Sequence, residues 1–216
     1  PNKQQDASEF MTKLLDEIIN ECYAKGQEVK DFDIELKRKF NCVSCGNNDD
    51  GTLDKAKCLD LAVPFSAGLE EISLNDCLKS FLSEEEIERD CSCGCKNARS
   101  KIDIDKLPDT LRINLKRFNF IENGTKEGRT EKNKIPVLFN ADEFELNGIK
   151  YQLTSFICHR GASTRGGHYF SFVRNSDLNK WFKYNDESRT QISDQEIEKI
   201  INVDGKADGA EPCSYF

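Results

Sequence analysis

The stretch Gly166-Gly167-His168-Tyr169-Phe170-Ser171-Phe172 and its continuation Trp181-Phe182-Lys183-Tyr184-Asn185-Asp186 read as two neighbouring β-strands, over 168–174 and 180–185. Two glycines at the start of the first strand let another backbone come close to the His168 imidazole, which a core histidine does not need. Asn185 follows His168 by seventeen residues and places a side-chain acceptor at a strand end beside that ring. The chain has two histidines, so imidazole chemistry belongs to His168 or His159. His159 reads as a hydrogen-bonded loop anchor.

Outward from this hairpin the sheet continues. Leu111, Ile113 and Leu115 alternate with Arg112, Asn114 and Lys116, and a second alternation runs from Tyr151 to Cys158. Between them, the polar segment 119–133 with Gly124 and Gly128 is expected as a loop projecting from the sheet. The chain opens on a helix with Phe10, Leu14, Ile18 and Cys22 at i+4 intervals, Asp6 and Glu9 capping its start and Gly26 ending it. Hairpins are expected over 31–61, around a Gly-, Asn- and Asp-rich knuckle from Cys42 to Gly51. A second helix follows Ser73, and Ser193 with Glu196 caps a third. The tail after Asp204, with its Gly, Ala and Pro, is expected to fray.

A hydrophobic fraction of 37% with 14 Phe and 5 Tyr among 216 residues is enough to build a core. Net charge −8, from 31 basic and 39 acidic residues, disfavours nucleic acid and anionic lipid as partners. No apolar run approaches the roughly 18 residues of a membrane span, and Pro1 to Phe10 has no signal-peptide pattern. The chain is expected to work in the cytoplasm, the nucleus or both, and Pro1 in place of Met suggests a piece of a longer protein.

Of ten cysteines, Cys42, Cys45, Cys91, Cys93 and Cys95 cluster in a way that suits metal. In Cys42-Val43-Ser44-Cys45-Gly46 a tight turn can aim both sulfurs at one ion. Cys91, Cys93 and Cys95 offer three thiols for the two remaining places of a closed structural zinc site, and the spacing leaves the choice among them open. Cys22, Cys77, Cys158 and Cys213 stand singly and read as packing. A Cys, His and Asn or Asp set on a partly β scaffold is the arrangement of papain-like proteases.

Gln4-Gln5-Asp6-Ala7-Ser8-Glu9-Phe10, the paired cysteine clusters, Leu107-Pro108 with Leu115-Lys116-Arg117-Phe118, Tyr151-Gln152-Leu153 with His159-Arg160-Gly161, and Gly166-Gly167-His168-Tyr169 with Trp181 and Tyr184-Asn185-Asp186 together resemble the ubiquitin-specific proteases. Five motifs in register across nearly the whole chain make the resemblance specific. It implies an α+β, papain-like cysteine protease fold: a thumb helix remnant over 1–30, zinc-bearing β fingers over 31–110 and an antiparallel β palm over 111–216. It implies one structural zinc ion, ubiquitin and ubiquitinated proteins as partners, and hydrolysis of the isopeptide bond after the C-terminal glycine of ubiquitin.

By position in those motifs, His168 matches the catalytic base, Asn185 the third member of the triad and Asp186 an acidic neighbour that assists in some members. Gln4, Asp6 and Glu9 match the helix positions that hold the basic tail of ubiquitin, and Gly166, Gly167 and Tyr169 lie in the segment lining its channel. In the family the nucleophilic cysteine and the oxyanion-hole Asn precede the Gln-Gln-Asp motif. The nucleophile is therefore expected upstream of this chain, which alone would be inactive. Cys22 lies downstream of the family's nucleophile position and on a helix stripe, so it is not the replacement. The alternative is an inactive ubiquitin-binding scaffold of the same fold.

Overall fold

The computed structural model describes residues 6–29, 32–65, 68–121, 129–141, 144–163 and 166–216. Gln4 and residues 122–128 of the 119–133 segment lie outside them.

Helix α1 (Ala7–Ala24) starts where Asp6 Oδ1 accepts from the Glu9 N–H at 2.9 Å, and Gly26 follows its end at φ +67°. Its apolar stripe is not the buried face: Phe10 is 59% exposed, and Leu14 and Ile18 are exposed with it. The helix is held through a polar edge instead. The buried Arg112 guanidinium donates to the Ser8 carbonyl and the Thr12 hydroxyl, both at 3.3 Å, and Lys57 pairs with Asp16 at 3.6 Å.

A five-stranded antiparallel sheet follows. Strand β1 (Ile34–Cys42) pairs with β2 (Asn48–Asp49) and β3 (Leu53–Ala56) along one edge. The chain then runs through β4 (Leu59–Ala62), β5 (Ile72–Ser73), helix α2 (Leu74–Leu82) and β6 (Glu85–Glu88) to β7 (Asn97–Lys106), which pairs with β1 and β6. Gly51 is obligatory between β2 and β3: at φ +56°, a Cβ there would stand 2.3 Å from the Arg38 carbonyl oxygen.

Strand β4 leaves this sheet for the other one, pairing in parallel with β8 (Ile113–Lys116). Leu59 and Leu61 are fully buried while Asp60 and Ala62 face out, a pattern made for the edge of the main core. The segment 31–110 thus contributes to both sheets.

After β8 come β9 (Phe118–Ile121) and β10 (Arg129–Lys132), paired as a hairpin, then β11 (Val137–Leu138) in parallel with β5. A small hairpin of β12 (Glu145–Leu146) and β13 (Ile149–Lys150) precedes β14 (Ser155–Ser163), β15 (Gly166–Asn175), β16 (Lys180–Asn185) and β17 (Ser188–Ile192). Helix α3 (Asp194–Glu198), capped by Ser193, continues as a π-helical turn over Lys199–Asp204 and buries Ile197, Ile200 and Ile201. The chain then enters β18 (Glu211–Tyr215). The seven-stranded sheet has the order β17-β16-β15-β14-β18-β8-β4, antiparallel except for β8 with β4. Its core holds Phe156 stacked on Phe172 at 4.6 Å, with Trp181 and Tyr215 packed around Phe156.

Two sequence expectations are corrected here. The tail does not fray: β18 lies between β14 and β8, with Ala210, Glu211, Ser214 and Tyr215 buried. Pro212 is tolerated in a central strand because the β14–β18 register shifts between Ile157 and Cys158, and Cys158 is the residue opposite Pro212. The 119–133 segment is not loop throughout, since 118–121 and 129–132 pair, and Lys132 and Asn133 are buried.

The strand assignment of the tail is testable at Tyr215. Tyr215→Ala should cost about 3–5 kcal/mol in denaturant unfolding, where a frayed tail would cost nothing. The Tyr215 hydroxyl is buried without a partner among the described residues, so Tyr215→Phe should melt at or above the wild-type temperature.

Candidate active site

His168 is the third residue of β15 and lies across from Arg160 on β14. On the other side of β15, β16 runs antiparallel and ends at Asn185, where Asp186 turns the chain at φ +49°. The two strand ends bring His168 Nε2 to 2.5 Å from Asn185 Oδ1. An amide oxygen only accepts, so Nε2 carries a proton, and in the neutral form of the ring Nδ1 is the bare nitrogen. The neutral ring thus offers a proton acceptor on the side away from Asn185. Asp186 Oδ2 lies 3.8 Å from Nε2, but its side chain is 77% exposed and solvent screens it.

The two glycines before His168 differ. Gly166 has open space where a side chain would stand, as an approaching backbone requires. At Gly167 a Cβ would lie 2.3 Å from His159 Nε2 and 2.5 Å from the Arg160 carbonyl oxygen. Gly167 is thus demanded by packing within the protein, while at Gly166 no described residue stands in the way of a side chain.

The start of α1 and the sheet enclose a cavity of about 230 Å³ whose lining includes Asp6, Phe118, His159 and Tyr169. Burial, with Cys213 and Asp6 nearby, pushes the Tyr169 phenol up to about 12, so it stays a hydroxyl. Glu9 does not line this cavity; it pairs with Lys13 at 2.6 Å on the exposed side of α1.

Burial also keeps most single cysteines as thiols, raising Cys58 and Cys77 to about 11 and Cys213 to about 12, with Cys158 well above its ordinary range. Cys22 is half-buried on α1.

Four other thiols converge at the tip of the five-stranded sheet. Cys42, Cys45, Cys91 and Cys93 have all their sulfurs within 4.8 Å of one another, with Cys42 to Cys93 at 3.6 Å and Cys45 to Cys91 at 3.7 Å. Bonds of about 2.3 Å from four tetrahedral thiolates to one ion put the sulfurs roughly 3.8 Å apart, so the set fits a metal. Backbone N–H groups of Cys45 and Ser44 pull the Cys42 thiol down to about 6. Cys95, the fifth candidate, is outside the set: its sulfur turns to the Asn97 carbonyl at 3.4 Å. The one-residue spacing works because the Cys91 carbonyl accepts from Gly94 N–H at 2.9 Å, closing a tight turn with Gly94 at φ +87°. Cys93→Ser should abolish metal binding in elemental analysis and lower the melting temperature, whereas Cys95→Ser should leave both unchanged.

Residues 1–211 match the ubiquitin carboxyl-terminal hydrolase family. This chain belongs to that family. It is 29% identical over 205 residues to the Schizosaccharomyces pombe protein named Probable ubiquitin carboxyl-terminal hydrolase 8, covering 90% of this chain and 43% of the relative. It is 28% identical to ubiquitin carboxyl-terminal hydrolase 48 of Danio rerio, covering 94% of this chain and 20% of the relative. Among solved structures it resembles the SAGA Ubp8/Sgf11/Sus1/Sgf73 DUB module bound to ubiquitin aldehyde, with TM-score 0.72, 26% identity, and coverage of 99% of this chain and 49% of the other. The SAGA DUB module with a substituted Ubp8, bound to monoubiquitin, matches with TM-score 0.74 at 26% identity, covering 99% of this chain and 48% of the other. The chain therefore spans half or less of the length of these relatives. The fold is the papain-like one of ubiquitin-specific proteases. Sequence reading missed two features of this family member's site: the buried Lys132 and its partner Glu211, which stand in segments that read as loop and tail.

Proposed function

We propose that this chain is the base-bearing and finger-bearing part of a deubiquitinase that uses a thiol to hydrolyse the isopeptide bond after the C-terminal glycine of ubiquitin. The observation that carries this reading is the His168–Asn185 contact at 2.5 Å, which leaves Nδ1 of a neutral imidazole free to take a proton. The nucleophile comes from a segment that precedes the Gln4-Gln5-Asp6 motif. Two observations support that: burial holds four single cysteines as thiols, and four more are gathered in the metal cluster. The exposed face of Phe10, Leu14 and Ile18 gives such a segment an apolar surface to cover.

In the reaction, His168 Nδ1 takes the thiol proton and the thiolate attacks the isopeptide carbonyl. The tetrahedral species collapses as His168 returns the proton to the departing lysine amine. Water, deprotonated by the same nitrogen, then cleaves the acyl-enzyme. Asn185 fixes the tautomer, and Asp186 adds a screened negative charge that favours the transient imidazolium. Gly166 gives the substrate backbone its approach, and Asp6 and Tyr169 face the arginine-bearing tail of ubiquitin, to which Gln4 and Glu9 contribute by their positions in the family motif. Residues 1–30 act as part of a thumb, the 31–110 segment supplies fingers stapled by one zinc ion on Cys42, Cys45, Cys91 and Cys93, and 111–216 form the palm. Ten unpaired cysteines suit the reducing cytoplasm or nucleus.

The test uses the longer protein, with the preceding segment, and a fluorogenic ubiquitin amide. His168→Ala should lower kcat/KM about a thousandfold or more without changing the melting temperature. Asp6→Asn keeps a helix cap but loses the charge, so it should weaken ubiquitin binding by the order of 1–3 kcal/mol, less at high salt. Chain 1–216 alone should not be labelled by a ubiquitin C-terminal electrophile. Full activity of His168→Ala, or His168-dependent labelling of Cys22, would overturn the reading.

A further inference from the structure

Lys132 ends β10 with its side chain only 1% exposed, and all three of its ammonium protons are used. They go to Glu211 Oε2 at 2.7 Å, the His159 carbonyl oxygen at 2.6 Å and His159 Nδ1 at 3.1 Å. An ammonium has no acceptor, so Nδ1 must accept and the proton of the neutral ring resides on Nε2. That Nε2 edge is the one lying against Gly167. The register places Glu211 and Tyr169 opposite His159 on its two neighbouring strands and His168 opposite Arg160, the next residue. The Tyr169 ring at 4.5 Å and the Phe118 ring at 5.9 Å flank the imidazole.

We propose that Glu211 and Lys132 are positioning residues: they lock His159 as the Nε2–H tautomer against Gly167, and so set the start of β15 from which His168 projects. The link to catalysis rests on the reading of His168 as the base. Burying a Lys–Glu pair contributes little net stability, because desolvation offsets the attraction. What the pair does supply is a fixed donor to one ring nitrogen and to the carbonyl of the same residue. The charged groups facing the ring are Lys132 from β10, Glu211 from β18 and Asp6 at the start of α1. Burial and then Lys132 hold His159 down to about 4, with Glu211 and Asp6 opposing, so the ring stays neutral.

Two histidines make the test direct: long-range proton–nitrogen NMR of chain 1–216 labelled on histidine, with His159→Gln used to assign the rings. In the wild type His159 should show a bare Nδ1 and a protonated Nε2, unchanged from about pH 5 to 8. Lys132→Met should release that tautomer and move the His168 ring resonances from their wild-type positions. Since Lys132→Met strands a buried carboxylate and can fail to fold, Lys132→Met/Glu211→Leu, which removes both charges, should give the same two changes in a folded chain. A wild-type His159 protonated on Nδ1, or a folded double variant with both rings as in the wild type, would overturn the proposal. These readouts are independent of ubiquitin hydrolysis, so failure of His168 to act as the base leaves the tautomer result standing, and the reverse holds too.

Discussion

The hydrogen bond from His168 to Asn185 exists because two antiparallel strands end side by side, and much of the protein serves to bring those ends together. Neither side chain has the reach to find the other across a flexible chain. Strands β14 to β16 supply the alignment, and the aromatic stack of Phe156, Phe172 and Trp181 behind them keeps the strands from sliding. With the amide oxygen as acceptor, one ring nitrogen is committed and the other is available. A nitrogen able to accept a proton follows from the geometry before any pKa is invoked.

Around that hairpin, buried cations do the connecting. Arg112 ties α1 to the sheet through the Ser8 carbonyl and the Thr12 hydroxyl. Arg117 ties β8 to β18 and to the strand-to-loop segment after β10, through the carbonyls of Pro212, Asn133 and Ile135. Lys132 ties β10 to β14 and β18. Of these three, Lys132 has a buried carboxylate as a partner; the arginines spend their donors mainly on backbone carbonyls. Each link thus satisfies buried acceptors while fixing one element against another.

Much of this was legible from local patterns. Asp6, Ser73 and Ser193 cap helices where the sequence placed them, and the 168–174 and 180–185 alternations became strands, because caps and period-two burial are written in a few adjacent residues. What escaped depends on partners far along the chain. Pro212 and its small neighbours read as a tail, yet a register shift lets them fill the middle of a sheet. Leu59 and Leu61 alternate like a hairpin strand, but their burial is on β8. The i+4 stripe of α1 marks an apolar face without saying what covers it, and the helix meets this sheet through Ser8 and Thr12. Three cysteines shared one short run, and only the turn at Gly94 separates Cys91 and Cys93 from Cys95.

In the function proposed above, Nδ1 of His168 faces a thiol from a preceding segment. The most direct measurement is a crystal structure of the longer protein captured by a ubiquitin C-terminal electrophile. The expected result is a modified cysteine from before the Gln4-Gln5-Asp6 motif, its sulfur within about 4 Å of His168 Nδ1, with the Asn185 contact to Nε2 intact. A modified cysteine from among the ten described above, or a sulfur seated on the Nε2 side of the ring, would contradict it.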